Sequence, residues 1–106
     1  NDFYEYDPLS DSWSKKQDII RGDRERAISF GVGDKGFLGT GNFLAGQTAD
    51  MLSFDPQLNE WSNIEDFPGG QRSDALSFVI GNLAFVGFGA DENGNFQKDL
   101  WIYVPD

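Results

Sequence analysis

The chain has 106 residues and a formal net charge of −10, and it contains no cysteine and no histidine. This length fits one domain, and the missing residue types exclude a disulfide framework, thiolate or imidazole metal ligands and a cysteine nucleophile. The acidic charge disfavours nucleic acid and acidic membrane surfaces as partners, and no apolar stretch is long enough to span a membrane.

The chain opens on a segment that recurs twice. Residues 2–8, DFYEYDP, return as residues 50–56, DMLSFDP, and their beginning returns as residues 99–105, DLWIYVP. The spacing is 48 residues between the first two copies and 49 between the second and the third. A fixed period of this length predicts one supersecondary unit copied along the chain, with each copy burying its apolar faces against its neighbours.

Each unit is predicted to contain four β-strands. Residues 1–23 hold the third and fourth strands of one unit. The next first strand is predicted from Arg24 to Val32, because small residues at positions 27, 29 and 31 alternate with bulky ones at 28, 30 and 32. A period of two is typical of a β-strand, which here would carry its small side chains on one face and its bulky side chains on the other. Gly33 and Asp34 suit the tight hairpin that follows.

The rest of this unit and part of another follow in the same order. The second strand is predicted over residues 36–41, the third over 50–55 and the fourth over 60–64, so that residues 24–68 form a complete unit. Residues 69–106 repeat the first three strands. Nine strands, many aromatic residues and glycines, and no helical apolar period together predict an all-β fold.

The turn after each third strand carries the most specific pattern. Residues 6–8 are Tyr-Asp-Pro and are followed by Trp13, and residues 54–56 are Phe-Asp-Pro and are followed by Trp61. With an arginine before the first strand and glycines ending the second, this pattern resembles the kelch repeat, in the variant of bacterial kelch-like, galactose-oxidase-type propeller proteins. The resemblance covers the whole chain and implies a β-propeller, with blades of four antiparallel strands around a central channel. We expect both tryptophans, and Trp101, in the core between blades.

Two blades and one strand cannot close a propeller, because closed propellers usually have four or more blades. We therefore expect a carboxy-terminal fragment of a longer propeller, whose missing outer strand the resemblance assigns to the amino-terminal end. A ring assembled from several copies of the chain and an independently folded piece with capped edges are the alternatives. The remaining blades, from the parent chain or from other copies, are then partners of this segment.

Arg24 and Arg72 occupy the same position in successive units. The resemblance places such an arginine near one mouth of the channel, where in some relatives it binds anionic groups. A structural ion pair with Asp50 or Asp99 is the alternative, and we favour it because a repeated residue usually serves the repeat.

The segments that join the second strand to the third differ between units, whereas the strands around them agree. They cover residues 42–48 and 90–97. Variable loops on a constant scaffold are common binding sites, and these loops are expected on the same face as the arginines. The rings of Phe43 and Phe96 could stack on sugar or peptide, or fold back over the blade edge. The candidate binding residues are Arg24, Arg26, Asn42, Phe43, Arg72, Ser73, Asp74, Asn93, Asn95 and Phe96.

Residues 91–95 have the oxygen-rich composition of a calcium loop, but they lack the spacing and the distal glutamate of an EF-hand. An Asn-Gly turn with solvated acids explains them equally well. The copper-radical chemistry of galactose oxidase requires cysteine and histidine, which this chain lacks. No convergent catalytic set is visible either, so we predict no catalytic residue, no metal site and no cofactor in this segment.

The predicted function is a non-enzymatic scaffold that binds a protein or glycan partner through the loops at one mouth of the propeller. One alternative is a carbohydrate-active enzyme whose catalytic residues lie in blades outside this segment. Another is a structural module of a larger cell-surface assembly. The resemblance to exported bacterial proteins implies an extracellular or periplasmic location.

Overall fold

The computed structural model describes residues 1–105, and every regular element in them is a β-strand or a turn. The predicted all-β class is therefore confirmed. This part of the chain contains no helix that is long and apolar enough to cross a membrane. In chain order the strands are β1 (Tyr4–Asp7), β2 (Ser12–Lys15), β3 (Ile28–Val32), β4 (Lys35–Gly39), β5 (Asn42–Phe43), β6 (Gly46–Gln47), β7 (Met51–Asp55), β8 (Glu60–Ile64), β9 (Leu76–Ile80), β10 (Leu83–Gly87) and β11 (Leu100–Tyr103).

The strands form three main antiparallel sheets, which follow one another along the chain. The first sheet is the hairpin β1–β2, the middle sheet has the order β3–β4–β7–β8, and the last sheet has the order β11–β10–β9. These three sheets contain two, four and three strands, and within residues 1–105 they do not close into a barrel. The small sheet β5–β6 lies in a segment that was predicted as a loop.

The first strand of the middle sheet begins at Ile28, later than predicted. Arg26 has a φ of 59°, and its counterpart Asp74 in the next unit has a φ of 58°. Because a left-handed residue interrupts a strand, the chain before β3 makes only an isolated bridge between Glu25 and Asn42. The same interruption in both units shows that the repeat extends to backbone conformation.

The hydrophobic core lies between the middle and last sheets. Along β3, buried residues alternate with exposed ones, as the pattern of bulky and small side chains predicts. The buried face of the middle sheet meets the last sheet, where β3 contacts both β9 and β10. The buried residues of this core are Ile28, Phe30, Val32, Phe37, Met51, Phe67, Ala84 and Val86.

The same repeat positions are buried in the middle sheet and exposed in the last sheet. The exposed fractions are 3% for Ile28 against 50% for Leu76, 9% for Phe30 against 38% for Phe78, and 7% for Val32 against 64% for Ile80. The last sheet covers these positions of the middle sheet, whereas nothing in residues 1–105 covers them in the last sheet. The last sheet therefore presents an apolar face to solvent.

The repeated tryptophans have the same local geometry but different exposure. Trp13 lies 5.0 Å from Tyr6, and Trp61 lies 5.0 Å from Phe54, measured between ring centroids, with interplanar angles of 50° and 47°. Trp61 is also covered by Phe3, the residue before β1, whereas Trp13 is 69% exposed. The core position predicted for Trp13 is therefore wrong for this part of the chain, because no neighbouring sheet lies over its ring.

Candidate binding face

Two connecting segments lie side by side at one end of the middle and last sheets. One contains β5 and β6, and the other is residues 90–97. The Nε2 group of Gln47 joins them, since it donates hydrogen bonds to Ala90 O at 3.3 Å and to Asp91 O at 3.1 Å. We call this end of the molecule, formed by residues 42–47 and 90–97 and the chain that leads into β3 and β9, the loop end.

The segments that lead into β3 and β9 reach the loop end through backbone pairing. Glu25 forms an antiparallel bridge with Asn42, and Ser73 forms one with Ala90. The variable loops and the arginine-bearing segments therefore lie on one face of the molecule, which is the arrangement the sequence predicts.

Arg24 is buried in an ion pair inside the fold. Its guanidinium donates to both carboxylate oxygens of Asp50, with Nη1–Oδ1 and Nη2–Oδ2 distances of 2.7 and 2.9 Å, and Nη1 also donates to Thr40 O. The side chains of Arg24 and Asp50 are 4% and 5% exposed. The planar guanidinium thereby links the chain before β3 to Thr40, which follows β4, and to Asp50, which precedes β7.

Arg72 repeats this arrangement with Asp99. Its Nη1 donates to Asp99 Oδ1 at 2.7 Å and to Phe88 O at 3.0 Å, while Nη2 donates to the second carboxylate oxygen and to Gly69 O. Asp99 also accepts from Nε1 of Trp101, which lies exposed at the surface rather than in the predicted core. The hydrogen bonds from Arg72, and then from Trp101, hold the pKa of Asp99 far below its ordinary value, against the opposing effect of burial.

The Arg72–Asp99 pair should make stability depend on pH in the acid range. Because folding lowers the pKa of Asp99, its contribution is complete above the ordinary aspartate pKa and is lost as the pH falls towards the lower value of the folded state. We expect the free energy of unfolding of the wild type to approach that of the Asp99→Asn variant as the pH falls from about 5 to about 2. Urea unfolding across this range measures the difference between the two free energies of unfolding. A difference that stayed constant with pH would contradict the lowered pKa of Asp99.

Three of the sequence-predicted binding residues are used within the fold. Arg24 and Arg72 have buried side chains and direct their guanidiniums at the carboxylates of Asp50 and Asp99. Ser73 is 7% exposed, and its Oγ accepts a hydrogen bond from Gln47 Nε2 at 2.9 Å. The polar groups of these three candidates therefore face protein partners rather than solvent, and their role in binding stays a prediction.

The remaining candidates lie at or near the surface of the loop end. The side chains of Arg26 and Asp74 are exposed, and Arg26 Nη1 lies 3.4 Å from Asp74 Oδ2. Asn93 and Asn95 are exposed in the second loop. Phe96 is 89% exposed, so its ring projects into solvent instead of folding back over the sheet edge.

The acid-rich segment 91–95 is a turn organised by Asp91. Its Oδ1 accepts from the backbone N–H groups of Asn93 and Asn95 at 3.0 and 2.9 Å, and its Oδ2 accepts from Gln97 Nε2. Its carboxylate is thus engaged inside the turn. Among residues 1–105, no group of three or more histidine, cysteine or acidic side chains is placed to hold a metal ion.

An open groove of about 690 Å³ runs along the loop end. Apolar side chains lie beside amides and carboxylates in its walls, and none of the lining side chains is cationic. Such a surface can pack against an apolar or ring face while it accepts hydrogen bonds from hydroxyl, amide or ammonium groups. The lining residues with these side chains are Phe43, Leu44, Asn42, Gln47, Gln71, Glu25 and Glu92.

Sequence reasoning missed Gln47, Gln71 and the two glutamates of this groove. Gln47 acquires its role through contacts with the loop of the next unit, more than forty residues away along the chain. Its position inside a variable loop is the only sequence signal that could have marked it. Glu92 lies inside the other variable loop and carries the same signal, whereas Gln71 and Glu25 carry none, because exposed polar residues are abundant in this chain.

Comparison with known proteins supports the fold and says nothing about activity. The chain matches no protein-family model, and no curated protein matches it significantly. Among solved structures, the chain is similar to one described as the structure of YjhT, with 22% sequence identity and a TM-score of 0.67 over 77% of this chain and 25% of that chain. This chain therefore spans about a quarter of that structure and shares its fold over the matched region.

Proposed function

We propose that this chain is part of a kelch-type β-propeller and that its loop end binds a protein or glycan partner. Contacts between equivalent positions of successive units support the propeller. Asp74 N donates to Arg26 O at 3.2 Å, and Ser77 Oγ donates to Ser29 O at 2.9 Å, each pair being 48 residues apart. A contact that joins equivalent positions of two neighbouring units can recur between every pair of neighbours. Blades arranged around an axis make contacts of this kind.

The exposed apolar face of the last sheet supports the same proposal. Leu76, Phe78 and Ile80 occupy positions that are buried one unit earlier. A further blade of the parent chain would bury them in the same way, and a propeller supplies such a blade next to each sheet.

The groove at the loop end is the observation that carries the binding proposal. It lies between connecting segments that differ from unit to unit, on a scaffold whose strands repeat. Exposed apolar side chains, Leu44 in the groove and Phe96 in the adjoining loop, stand next to hydrogen-bond acceptors. The carboxylates favour neutral or basic groups over anionic ones, so we infer a neutral glycan or a peptide with amide or basic side chains.

Replacing Phe96 with alanine should weaken partner binding about tenfold and leave the melting temperature unchanged. The reason is that its ring is 89% exposed and can contribute to a partner contact without supporting the fold. Arg26→Ala should act in the same direction, since this side chain is also exposed. Ligands are first selected with the wild-type chain from a glycan array and a displayed peptide library, and their Kd values for each variant are then measured by calorimetry.

Leu9→Ala is the matched control. Leu9 is 98% exposed in the turn between β1 and β2, outside the loop end. Its replacement should change neither the Kd nor the melting temperature. Equal losses of affinity in the Leu9 and Phe96 variants would contradict a site at the loop end, and a fall in melting temperature that accompanied the loss of binding would indicate a structural role.

A further inference from the structure

Asn93 is followed directly by Gly94, and no other asparagine of the sequence precedes a glycine. Asparagine is a chemically labile residue, because the backbone nitrogen of the next residue can attack its side-chain amide carbon. A glycine in that next position has no Cβ, so its nitrogen is unhindered. Gly94 therefore supplies the least hindered nucleophile beside any asparagine side chain of this chain.

The structure leaves this pair of residues accessible. Asn93 and Gly94 are both exposed in the segment between β10 and β11. A Cβ added at Gly94 would meet no other atom within 4 Å, so the backbone there lies in open space. Within residues 1–105, the side-chain amide of Asn93 takes part in no hydrogen bond. Neither packing nor hydrogen bonding therefore protects its amide carbon from attack.

The turn that Asp91 organises restrains the reacting nitrogen. Gly94 N–H donates to Asp91 O at 3.0 Å, and the N–H groups of Asn93 and Asn95 donate to Asp91 Oδ1 at 3.0 and 2.9 Å. Attack requires the nitrogen of Gly94 to lose its proton and to turn towards the neighbouring side chain, so the first of these bonds must break. The turn thus slows the reaction, but it opens at the cost of a few hydrogen bonds in an exposed loop.

We propose that Asn93 is a site of spontaneous deamidation, at a rate that the turn of Asp91 limits. The nitrogen of Gly94 gives its proton to solvent base and forms a bond to Asn93 Cγ. The bond from Cγ to Nδ2 then breaks, and Nδ2 takes up a proton and leaves as ammonia. Water opens the resulting cyclic imide at either of its two carbonyls. The products are aspartate and isoaspartate, in which the main chain runs through the side-chain carbonyl.

Both products change the loop end. Each adds one carboxylate next to Glu92, which lines the groove, and isoaspartate also lengthens the main chain by one atom. That atom falls between the two backbone N–H groups that Asp91 Oδ1 binds, so the two hydrogen bonds cannot both keep their geometry. The turn that changes is the one that Gln47 Nε2 contacts at Asp91 O. The inference goes beyond the proposed partner binding and does not depend on it.

Two other asparagines provide controls within the same chain. Asn82 is exposed in the tight turn between β9 and β10, but it precedes Leu83. Asn95 is exposed in the same loop as Asn93, but it precedes Phe96. If exposure alone decided the rate, all three would react alike. A glycine-dependent attack instead singles out Asn93, because a side chain on the following residue crowds the attacking nitrogen.

Incubation of the folded 106-residue chain at mildly alkaline pH, followed by proteolytic digestion and mass spectrometry, tests the site. We expect a mass gain of about 1 Da at Asn93, with a rate at least about tenfold higher than at Asn82 or Asn95. Asp91→Ala should raise the rate about threefold or more, because its side chain no longer holds the turn. Unfolding the wild-type chain in urea should raise it as well, which tests the restraint without a substitution.

Three results would overturn the proposal. The first is an unchanged mass at Asn93 in the folded chain after the unfolded chain has reacted completely, and the second is an equal rate at Asn93 and Asn82. The third is one common rate for the folded wild type, the Asp91→Ala variant and the chain in urea, which would show that the turn imposes no restraint. The loop-end proposal would survive each of these results, since its readout is the affinity of the Phe96 and Arg26 variants.

Discussion

Replacing Arg24 with methionine should lower the free energy of unfolding by about 3 to 5 kcal/mol. The substitution leaves Asp50, whose side chain is 5% exposed, without the two hydrogen bonds that its carboxylate receives from the guanidinium. Arg21 is a weaker substitute, since it reaches only one oxygen of Asp50 and is itself 49% exposed. Urea unfolding followed by tryptophan fluorescence measures the loss.

The double variant Arg24→Met, Asp50→Leu is the control for this result. It removes both charges from the same buried site, so we expect it to be more stable than the single variant Arg24→Met. If Arg24 were instead a ligand-binding arginine with no structural task, Arg24→Met would unfold at the wild-type urea concentration. That outcome would contradict the ion-pair assignment and favour the predicted binding role of Arg24.

The strands were predictable where their signals are local. β8 has the predicted bounds of 60–64, because it follows an Asp-Pro turn and carries the repeated tryptophan. The first strands were predicted too long, since the left-handed conformation at Arg26 and Asp74 is held by contacts between units that no single unit reveals. The hairpin β5–β6 has only two residues in each strand, which is too short for a periodic pattern.

The residues of the candidate site likewise divide into those that the sequence could predict and those that it could not. The ion pairs of Arg24 and Arg72 were anticipated as an alternative because the arginines and their acidic partners both recur with the repeat. Gln47 could not be anticipated, since its three hydrogen-bond acceptors belong to the next unit and are absent from its own sequence neighbourhood. Local patterns therefore predict the scaffold, and only the folded chain shows which variable residues meet.

Repetition also separates the two arginines that serve the fold from the side chains available to a partner. Arg24 and Arg72 are repeated and buried. Phe96 and Leu44 are not repeated and are exposed at the loop end. A side chain required by the unit must recur in each copy, whereas a side chain that contacts one partner need occur only once.

Replacing Gly39 with alanine should destabilise the fold by about 3 kcal/mol or more. A Cβ at this position would overlap with Met51 Sδ and with Asp50 O, so β4 and β7 would have to separate. The backbone of Asp50 cannot move away without disturbing its pair with Arg24. The equivalent Gly87 lies as close to Asp99 O, so Gly87→Ala should have a similar effect. Thermal and urea unfolding measure both variants.

Gly36→Ala is the matched control, because Gly36 lies on the same strand, β4, and has space for a methyl group. The nearest atom to its added Cβ is the Cβ of Phe54 at 3.9 Å, an ordinary van der Waals contact. The alanine also reduces the conformational freedom of the unfolded chain, so this variant should be as stable as the wild type or more stable by about 0.5 kcal/mol. Equal destabilisation at positions 36 and 39 would mean that glycine is needed along all of β4. A loss at Gly39 and Gly87 alone would instead identify the close approach between the end of the second strand and the start of the third as the constraint that each unit repeats.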